Sequence, residues 1–522
     1  MSAQLKKGTD SFFSSEARKR VCPLLLCLAS AVLLVLAFPK TDIWIFSWIG
    51  LIPFMYALEG KSPAAAFRTG YFCGILFFAG TLYWFIHMAA SAGIPGFLSF
   101  LAVVFIVLYL AVYFGLFAFL CCYFSSKTTL EKLFLYPSLW VALEFIRDWL
   151  FTGFGWLCLG YSQYKILPLI QIADMTGVFG VSFLIVMVNY VLKEALSTRA
   201  VRRELAIVSI ILLVVVGYGM MKLENQTPSQ GTMTVAVIQP NVAQQIKWEP
   251  AVWPLTMQKL QEITATVVGN SEQSSKPDLV IWPETSFPGY IWESPELYEE
   301  LKQFVAGLKT PLLFGAVMSV DKHYYNAAIL LSADGKVVTE YDKLHLVPFG
   351  EFIPFRHVLT WLTDILSLED FTAGKEYMLF PAPGGGQNHF SVLICFEDTI
   401  GRLVRKFVQH GANLLVNITN DAWFADSKEP FMHLQASVFR AVENRRSLVR
   451  AANTGVSCVI DKTGRIYNYL QKDGKKTFVT TFAVEKISFE NEQTWYTKLG
   501  DIFTYLCFGC ILWTIVISKR TS

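Results

Sequence analysis

Three short stretches hold groups that can do chemistry. In VLICFEDTI, Cys395 closes an apolar run and is followed closely by Glu397 and Asp398. In DLVIWPETSFPG, Glu284 follows a short apolar run and a proline, and in YDKLHLVPFGE, Lys343 precedes a Pro-Phe-Gly turn. A thiol, a carboxylate and an ammonium, each at the exit of an apolar strand, match the needs of acyl transfer through a thioester. That chemistry requires a nucleophile, a proton acceptor and a positive group for the oxyanion. Singly, each has a plainer reading: Cys395 as a small core hydrophobe, Glu284 as a turn acid, Lys343 as a solvated surface lysine. His345 is a conventional base candidate, but on a strand it shares a face with Lys343 and so only borders the site. Cys458, in TGVSCVID, reads as a packed strand residue.

Elements that position these groups must be sought in a chain with an unusual balance. Its 522 residues are 53% hydrophobic and only 16% charged, with a mean hydropathy of +0.43. Soluble domains are closer to a quarter charged, so the composition indicates a membrane protein. A net charge of +3 is too small to indicate a nucleic-acid partner. Of ten cysteines, only Cys395 and Cys458 fall in the polar middle of the chain. The CxxC of Cys507 and Cys510 lies in an apolar run with no second pair and no nearby histidine. Neither a metal site nor a disulfide framework is indicated, and no cofactor is expected.

Long apolar runs cover 21–38, 43–58, 69–88, 97–123, 133–150, 166–192, 205–221 and 502–518. Several reach the ~20 residues needed to cross a bilayer, and together they are read as eight spans. Glu144 and Arg147, one turn apart in the fifth run, are expected to pair inside the bundle. A cleaved signal peptide fits the first run poorly: it is long, lacks an A-x-A site and is followed almost at once by another apolar segment. Basic residues precede the first run (Lys6, Lys7, Arg18, Lys19, Arg20) and recur in alternate loops (Lys61, Arg68; Lys127, Lys132; Lys193, Arg199, Arg202, Arg203). Lys519 and Arg520 follow the last run. This bias places both termini in the cytoplasm and the polar interval 222–500 on the outer side. The domains expected are thus a bundle over 1–221, an exported domain over 222–500 and a last membrane helix over 501–522.

The interval 222–500 holds strand-like runs at 235–238, 279–282, 312–316, 327–331, 391–394, 413–418 and 458–460. Helix-like patterns fall at 250–268, 295–308, 403–410 and 432–444. Strands alternating with helices indicate an α/β or layered αββα domain, whose sites gather where strands end.

WPET, YDKLHLVPFGE and ICFED together resemble the Glu-Lys-Cys triad of the nitrilase superfamily. With the apolar bundle, the last span and the stretch NDAWFADSKEPFMHLQASVFRAVENRRSLVRAANTG, the chain resembles the apolipoprotein N-acyltransferases. The resemblance implies a nitrilase-like αββα sandwich exported from a bacterial inner membrane. It also implies acyl transfer from a membrane phospholipid to the N-terminal amine of a diacylglyceryl-cysteine lipoprotein. Under it Cys395 is the nucleophile, Glu284 the proton acceptor, and Lys343 the oxyanion partner that lowers the thiol pKa. Glu351 would orient the lysine, Glu397 and Asp398 would support the cysteine turn, and Trp248, Trp423 and Phe396 would line the substrate pocket. Departures from the family pattern are Phe396 for Tyr, Ala425 for Gly and Ser447 for Pro; Ala425 puts the loop after Trp423 in question.

Lipid access is expected from two segments. Phe355, Leu359, Leu362, Ile365 and Leu366 give 351–372 one apolar face, which suits a membrane-surface lid or, more plainly, a helix packed on its own domain. The aromatic, glycine-rich loop 151–164 lies on the same side. The alternative reading is a membrane-anchored amidase or nitrilase that uses water as acceptor. A third, a transporter or inert scaffold, predicts intramembrane charge pairs lining a path, and few charges lie in the runs.

Overall fold

The computed structural model describes residues 22–91, 93–198, 201–269, 276–354, 356, 370–384 and 386–521. Its first part is helical: Pro23–Leu36, Ser47–Ala57, Pro63–Leu82, Phe85–Ser91, Gly96–Tyr123, Thr129–Trp149, Val178–Thr198 and Arg202–Glu224. Ile502–Thr521 rejoins them from the far end of the chain. Local chemistry sets the boundaries. Ser62 accepts from Ala65 N ahead of Pro63, and Thr128 forms a reciprocal capping box with Glu131. Gly70 and Gly74 let Pro63–Leu82 press against Gly96–Tyr123. A Cβ at Gly74 would come within 2.9 Å of Ala111 Cα and Phe114 Cβ.

Four of these helices are long and apolar enough to cross a membrane: Pro63–Leu82, Gly96–Tyr123, Val178–Ser197 and Arg202–Glu224. Pro23–Leu36, Trp44–Ala57 and Ile502–Ile517 are apolar but shorter. The apolar run 166–192 is broken. Two single turns, Leu167–Ile170 and Ala173–Thr176, precede Gly177 at φ +63°, and only then does Val178–Thr198 begin. The expected Glu144–Arg147 pair is replaced by two separate duties. Glu144 accepts from Trp140 Nε1 at 2.8 Å and Leu159 N at 2.7 Å, while Arg147 donates to the carbonyls of Phe154 and Trp156. Both side chains therefore shape the loop 151–164.

The second part contains two six-stranded sheets. The first runs β12 (Thr481–Ser488), β1 (Thr232–Gln239), β2 (Leu279–Ile281), β3 (Leu312–Val320), β4 (His323–Leu331), β5 (Val337–Asp342). The second runs β11 (Ile466–Tyr467), β10 (Cys458–Ile460), β9 (Ser447–Ala452), β8 (Leu414–Thr419), β7 (His389–Ile394), β6 (Phe380–Pro381). The two-residue period of a strand sorts β1 cleanly. Val235 and Val237 join the core shared with the second sheet, while Ala236 and Ile238 pack with Met257, Leu260, Leu301 and Val305 of helices Trp253–Gly269 and Pro295–Leu308. Helices Gly401–Gln409 and Glu429–Asn444 cover the other side, which completes the expected αββα sandwich. Each of the seven strand-like runs coincides with a strand, with only the end residues Trp282 and Asn413 falling outside. Strands β5, β6, β9, β11 and β12 are additional: β5, β6, β11 and β12 are edge strands, whereas β9 is a fully buried interior strand.

Helix Glu429–Asn444 ties the two parts together. All but Phe431 of its residues are buried, including Arg440 and Glu443, because the bundle covers the face that solvent would otherwise wet. Glu443 accepts from Val178 N at 3.1 Å and pairs with Arg440 at 2.7 Å, and the rings of Phe439 and Tyr161 lie 5.3 Å apart. Just beyond the helix, Arg445 pairs with Asp174 at 2.8 Å and donates to Gln171 Oε1 at 2.6 Å. Removing one member of a buried pair leaves the other charge uncompensated. Asp174→Ala should therefore cost about 3–5 kcal/mol and lower the thermal midpoint of the purified protein. The double variant Asp174→Leu, Arg445→Met should recover much of that loss; equal midpoints for all three would show that the pair does not hold the parts together.

Candidate active site

Strand exits bring the sequence motifs together. Glu284 follows β2 by way of Trp282 and Pro283, Lys343 follows β5 directly, and Cys395 follows β7 and opens a 3₁₀ turn, Cys395–Thr399. Lys343 is nearly inaccessible, with its Nζ 2.8 Å from Glu351 Oε1 and 3.7 Å from Glu284 Oε1. Asn326 Nδ2 donates to both carboxylates, at 2.8 Å each. Glu284 Oε2 accepts from the backbone N–H of Asn420, and Glu351 Oε2 from that of Val347, both at 2.8 Å. The antiparallel β4–β5 pairing explains Asn326: Ala327 lies opposite Asp342, so the residue before one strand partner sits beside the residue after the other. Its carbonyl accepts from Lys343 N at 2.9 Å.

Cys395 is half-buried at φ +55°, a left-handed conformation uncommon for a residue with a Cβ. Its carbonyl accepts from Asn417 Nδ2 at 2.8 Å. Glu397 fastens this turn to the lysine segment. It takes N–H groups from Ile394 (2.8 Å), Leu344 (2.8 Å) and His345 (3.1 Å), and the Tyr341 hydroxyl at 2.9 Å. Beneath the turn lies a second buried charge cluster. Asp398 accepts from His433 Nε2 at 2.6 Å, from Arg450 at 3.1 Å and from the Ser437 hydroxyl. Arg450 also reaches Asp421 at 3.1 Å, Asn417 Oδ1 at 2.9 Å and His433 Nδ1 at 2.7 Å. Arg450 and His433 hold Asp421 down to about 2 although burial opposes them.

Burial, reinforced by the Glu284 charge, drives the Cys395 thiol well above its ordinary range, while Lys343 pulls the other way and loses. Lys343 thus acts on the thiol in the expected downward direction, but burial and the Glu284 charge outweigh it. Lys343 itself is lowered by burial and raised by Glu351 and Glu284, with a net upward shift, so it stays an ammonium. Burial pushes Glu397 up to about 7 against the pull of its donors. Cys458 is fully buried in β10, and burial lifts it to about 12.

Of the proposed pocket residues, Phe396 lies 5.6 Å from Lys343 Nζ and 5.4 Å from the His345 ring. His345 lies beyond β5 rather than on it, hydrogen-bonds the Thr152 carbonyl at 3.1 Å and is lowered by burial and by Arg402. Trp248 stacks near Tyr290 at 5.6 Å. Trp423 contacts the bundle through its carbonyl, which accepts from Ser91 at 3.2 Å; the ring that meets the bundle is Phe424, 5.1 Å from Trp84. Ala425 adopts φ +50°, ψ −164°, a conformation natural to the glycine expected there. Most of 351–372, the expected lid, lies outside the described residues. Asn326 had no signal in the sequence, and Tyr341, Asn420 and Arg450, although inside the quoted motif stretches, could not be given roles, since only long-range pairing brings them to the reactive groups.

Two sheets backed by helices, with these three groups at strand exits, define a carbon-nitrogen hydrolase domain. The Carbon-nitrogen hydrolase family model matches residues 234–489, and the Apolipoprotein N-acyltransferase N-terminal domain model matches 30–191. The Apolipoprotein N-acyltransferase of Geobacter metallireducens is 36% identical over 499 residues, covering 92% of each chain. That of Nitrosomonas europaea is 32% identical, covering 87% of this chain and 88% of its own. A crystal structure of an amidase from Nesterenkonia sp. aligns at 18% identity and TM-score 0.38, over 54% of this chain and 98% of that one; so low a score carries no argument. The chain belongs to the apolipoprotein N-acyltransferase family.

The electrostatics make a signed prediction. Alkylation of Cys395 by iodoacetamide, followed by peptide mass, should have its midpoint above pH 9. Glu284→Gln removes a like charge and should lower that midpoint, whereas Lys343→Met should raise it. A midpoint below 8, or no response to either change, would contradict the charge arrangement.

Proposed function

We propose that the protein moves a fatty acyl chain from a membrane phospholipid to the N-terminal amine of a diacylglyceryl-cysteine lipoprotein, the last step of lipoprotein maturation, through a thioester on Cys395. One observation carries the assignment of roles. A single buried ammonium, Lys343, lies between Glu351 at 2.8 Å and Glu284 at 3.7 Å, and both its charge and that of Glu284 act on the Cys395 thiol.

In the first half-reaction Sγ attacks the ester carbonyl as Glu284 takes the thiol proton. Lys343, with the Phe396 N–H at the head of the turn, stabilises the oxyanion. Collapse breaks the bond to the lysolipid oxygen, and Glu284 returns its proton there. In the second half the lipoprotein amine attacks the thioester, Glu284 takes a proton from nitrogen, and collapse gives the amide while that proton returns to sulfur. Glu351 and Asn326 keep Lys343 and Glu284 apart and aimed. Glu397 is a positioning residue that holds the turn to the lysine segment.

The bundle favours this reading over an amidase that uses water. Helical-region groups reach the loops around the site: Thr152 binds His345, Ser91 binds Trp423, and Trp84 packs on Phe424. A soluble amide would need no such contact, whereas a lipid donor must pass from bilayer to thiol. We further propose the finer topology: eight spans, both termini cytoplasmic, residues 222–500 exported as the catalytic domain between the 1–221 bundle and the 501–522 helix, and 351–372 as a membrane-facing lid.

Incubation with phospholipid alone should add one acyl mass to Cys395 in the intact protein, and a diacylated lipopeptide should then remove it. Cys395→Ala should do neither and Cys458→Ala both. Lys343→Ala should slow acylation roughly 10²–10³-fold. An acyl mass on another residue, or a label that passes only to water when the peptide is present, would overturn the reading. The topology is checked separately: a cysteine placed at position 270 should react with an impermeant maleimide from outside intact spheroplasts, and reaction only after lysis would reverse the orientation.

A further inference from the structure

A second buried lysine lies beside the base. Lys247 is 5% exposed, and its Nζ donates to the Glu284 carbonyl at 3.3 Å and to the Thr285 hydroxyl. Among the described residues no carboxylate lies within ion-pair distance of it. Burying an amine without a counter-ion is costly, and burial draws this one down to about 8 although the Glu284 charge opposes the shift. A methionine would fill the same space without that penalty, so stability alone does not account for a lysine here.

The groups it holds are under constraint. Thr285, directly after Glu284, sits at φ +44°, where a side chain is disfavoured. The turn also rests on Gly315 of β3. A Cβ there would come within 2.7 Å of Glu284 Cα and 2.8 Å of its carbonyl carbon. The turn is therefore pressed against β3 and also tied by Lys247. The next residue, Trp248, packs on Tyr290, which bridges to Val317 of β3. Lys247 touches neither carboxylate oxygen of Glu284; both are held by Asn326 and Asn420.

We propose that Lys247 is a positioning residue for the base: it fixes the strained Glu284–Thr285 turn and joins it to the loop that carries Trp248. This rests on Glu284 as the proton acceptor. A turn released by a few tenths of an ångström loses proton-transfer geometry while the lipid still binds, so the maximal rate falls and half-saturation does not.

The test compares full-length Lys247→Met, Thr285→Val and the double variant with the parent in detergent micelles of fixed composition. Acyl-enzyme formation is followed by intact mass over a range of phospholipid concentrations, and thermal midpoints are recorded alongside. Lys247→Met should keep or raise the midpoint and lower the saturating rate roughly 10–10²-fold, with half-saturation within about twofold. Thr285→Val should fall in the same direction by less. The double variant should be no slower than Lys247→Met, because both substitutions break one interaction. A saturating rate within about twofold of the parent, a change confined to half-saturation, or additive losses would overturn the proposal. If Lys247→Met does not fold, Thr285→Val alone decides by the same criterion. A parent that forms no acyl-enzyme would instead overturn the Glu-Lys-Cys reading itself.

Discussion

One ammonium shared by two carboxylates, in a pocket nearly closed to water, is the constraint that the surrounding structure answers. Lys343 cannot neutralise Glu284 and Glu351 fully, so the remaining negative charge must be spread over fixed donors. Asn326 bridges the two acids, and backbone N–H groups of Asn420 and Val347 take the outer oxygens. Each of those donors comes from a different element, and so the ends of β4, β5 and β8 must all be held in register. Burial, reinforced by the Glu284 part of that charge, pushes the Cys395 thiol up.

A second layer of ions makes the first one rigid. Arg450, from β9, reaches Asp398 in the cysteine turn, Asp421 beyond β8 and His433 on the covering helix. Asp421, Glu429 and His433 lie close enough to resemble a metal-binding set, but the guanidinium already occupies the position between Asp421 and His433. Such a cluster contributes less to net stability than to fixing one arrangement of the strand ends, because its members cannot be exchanged without stranding a charge.

What was legible in the sequence follows from physical range. Cys395 and Glu284 could be read because each follows a local apolar run, and such runs announce buried strands; Lys343 was readable only from its motif, since the strand before it, VVTEYD, is polar and lies at a sheet edge. Glu351 and Glu397 were within a few residues of those motifs. Asn326 and Arg450 were silent, since an asparagine in YYNAAIL or an arginine in SLVRAA gains its meaning only from cross-strand pairing. The run 166–192 misled for the opposite reason: hydropathy counts the apolar side chains of Ile166–Ile172 but not the buried Asp174 that ties this stretch to Arg445. Lys343 was expected to acidify the thiol because proximity is readable from motifs, whereas burial, which outweighs it, is not.

The position of β12 has a bearing on biosynthesis. This strand, Thr481–Ser488, pairs antiparallel with β1 along its whole length, Thr232 opposite Ser488 and Gln239 opposite Thr481. The first strand of the domain to leave the ribosome is therefore not at an edge of its sheet but one place in, with one side left open until nearly the last residues of the domain have been made. An open strand edge held through that interval is a template for pairing with other chains. Closure of so long a loop also makes folding slow relative to local helix formation. The chain must spend its synthesis with that edge guarded, and its final helix, Ile502–Thr521, follows almost immediately after the strand that closes the sheet.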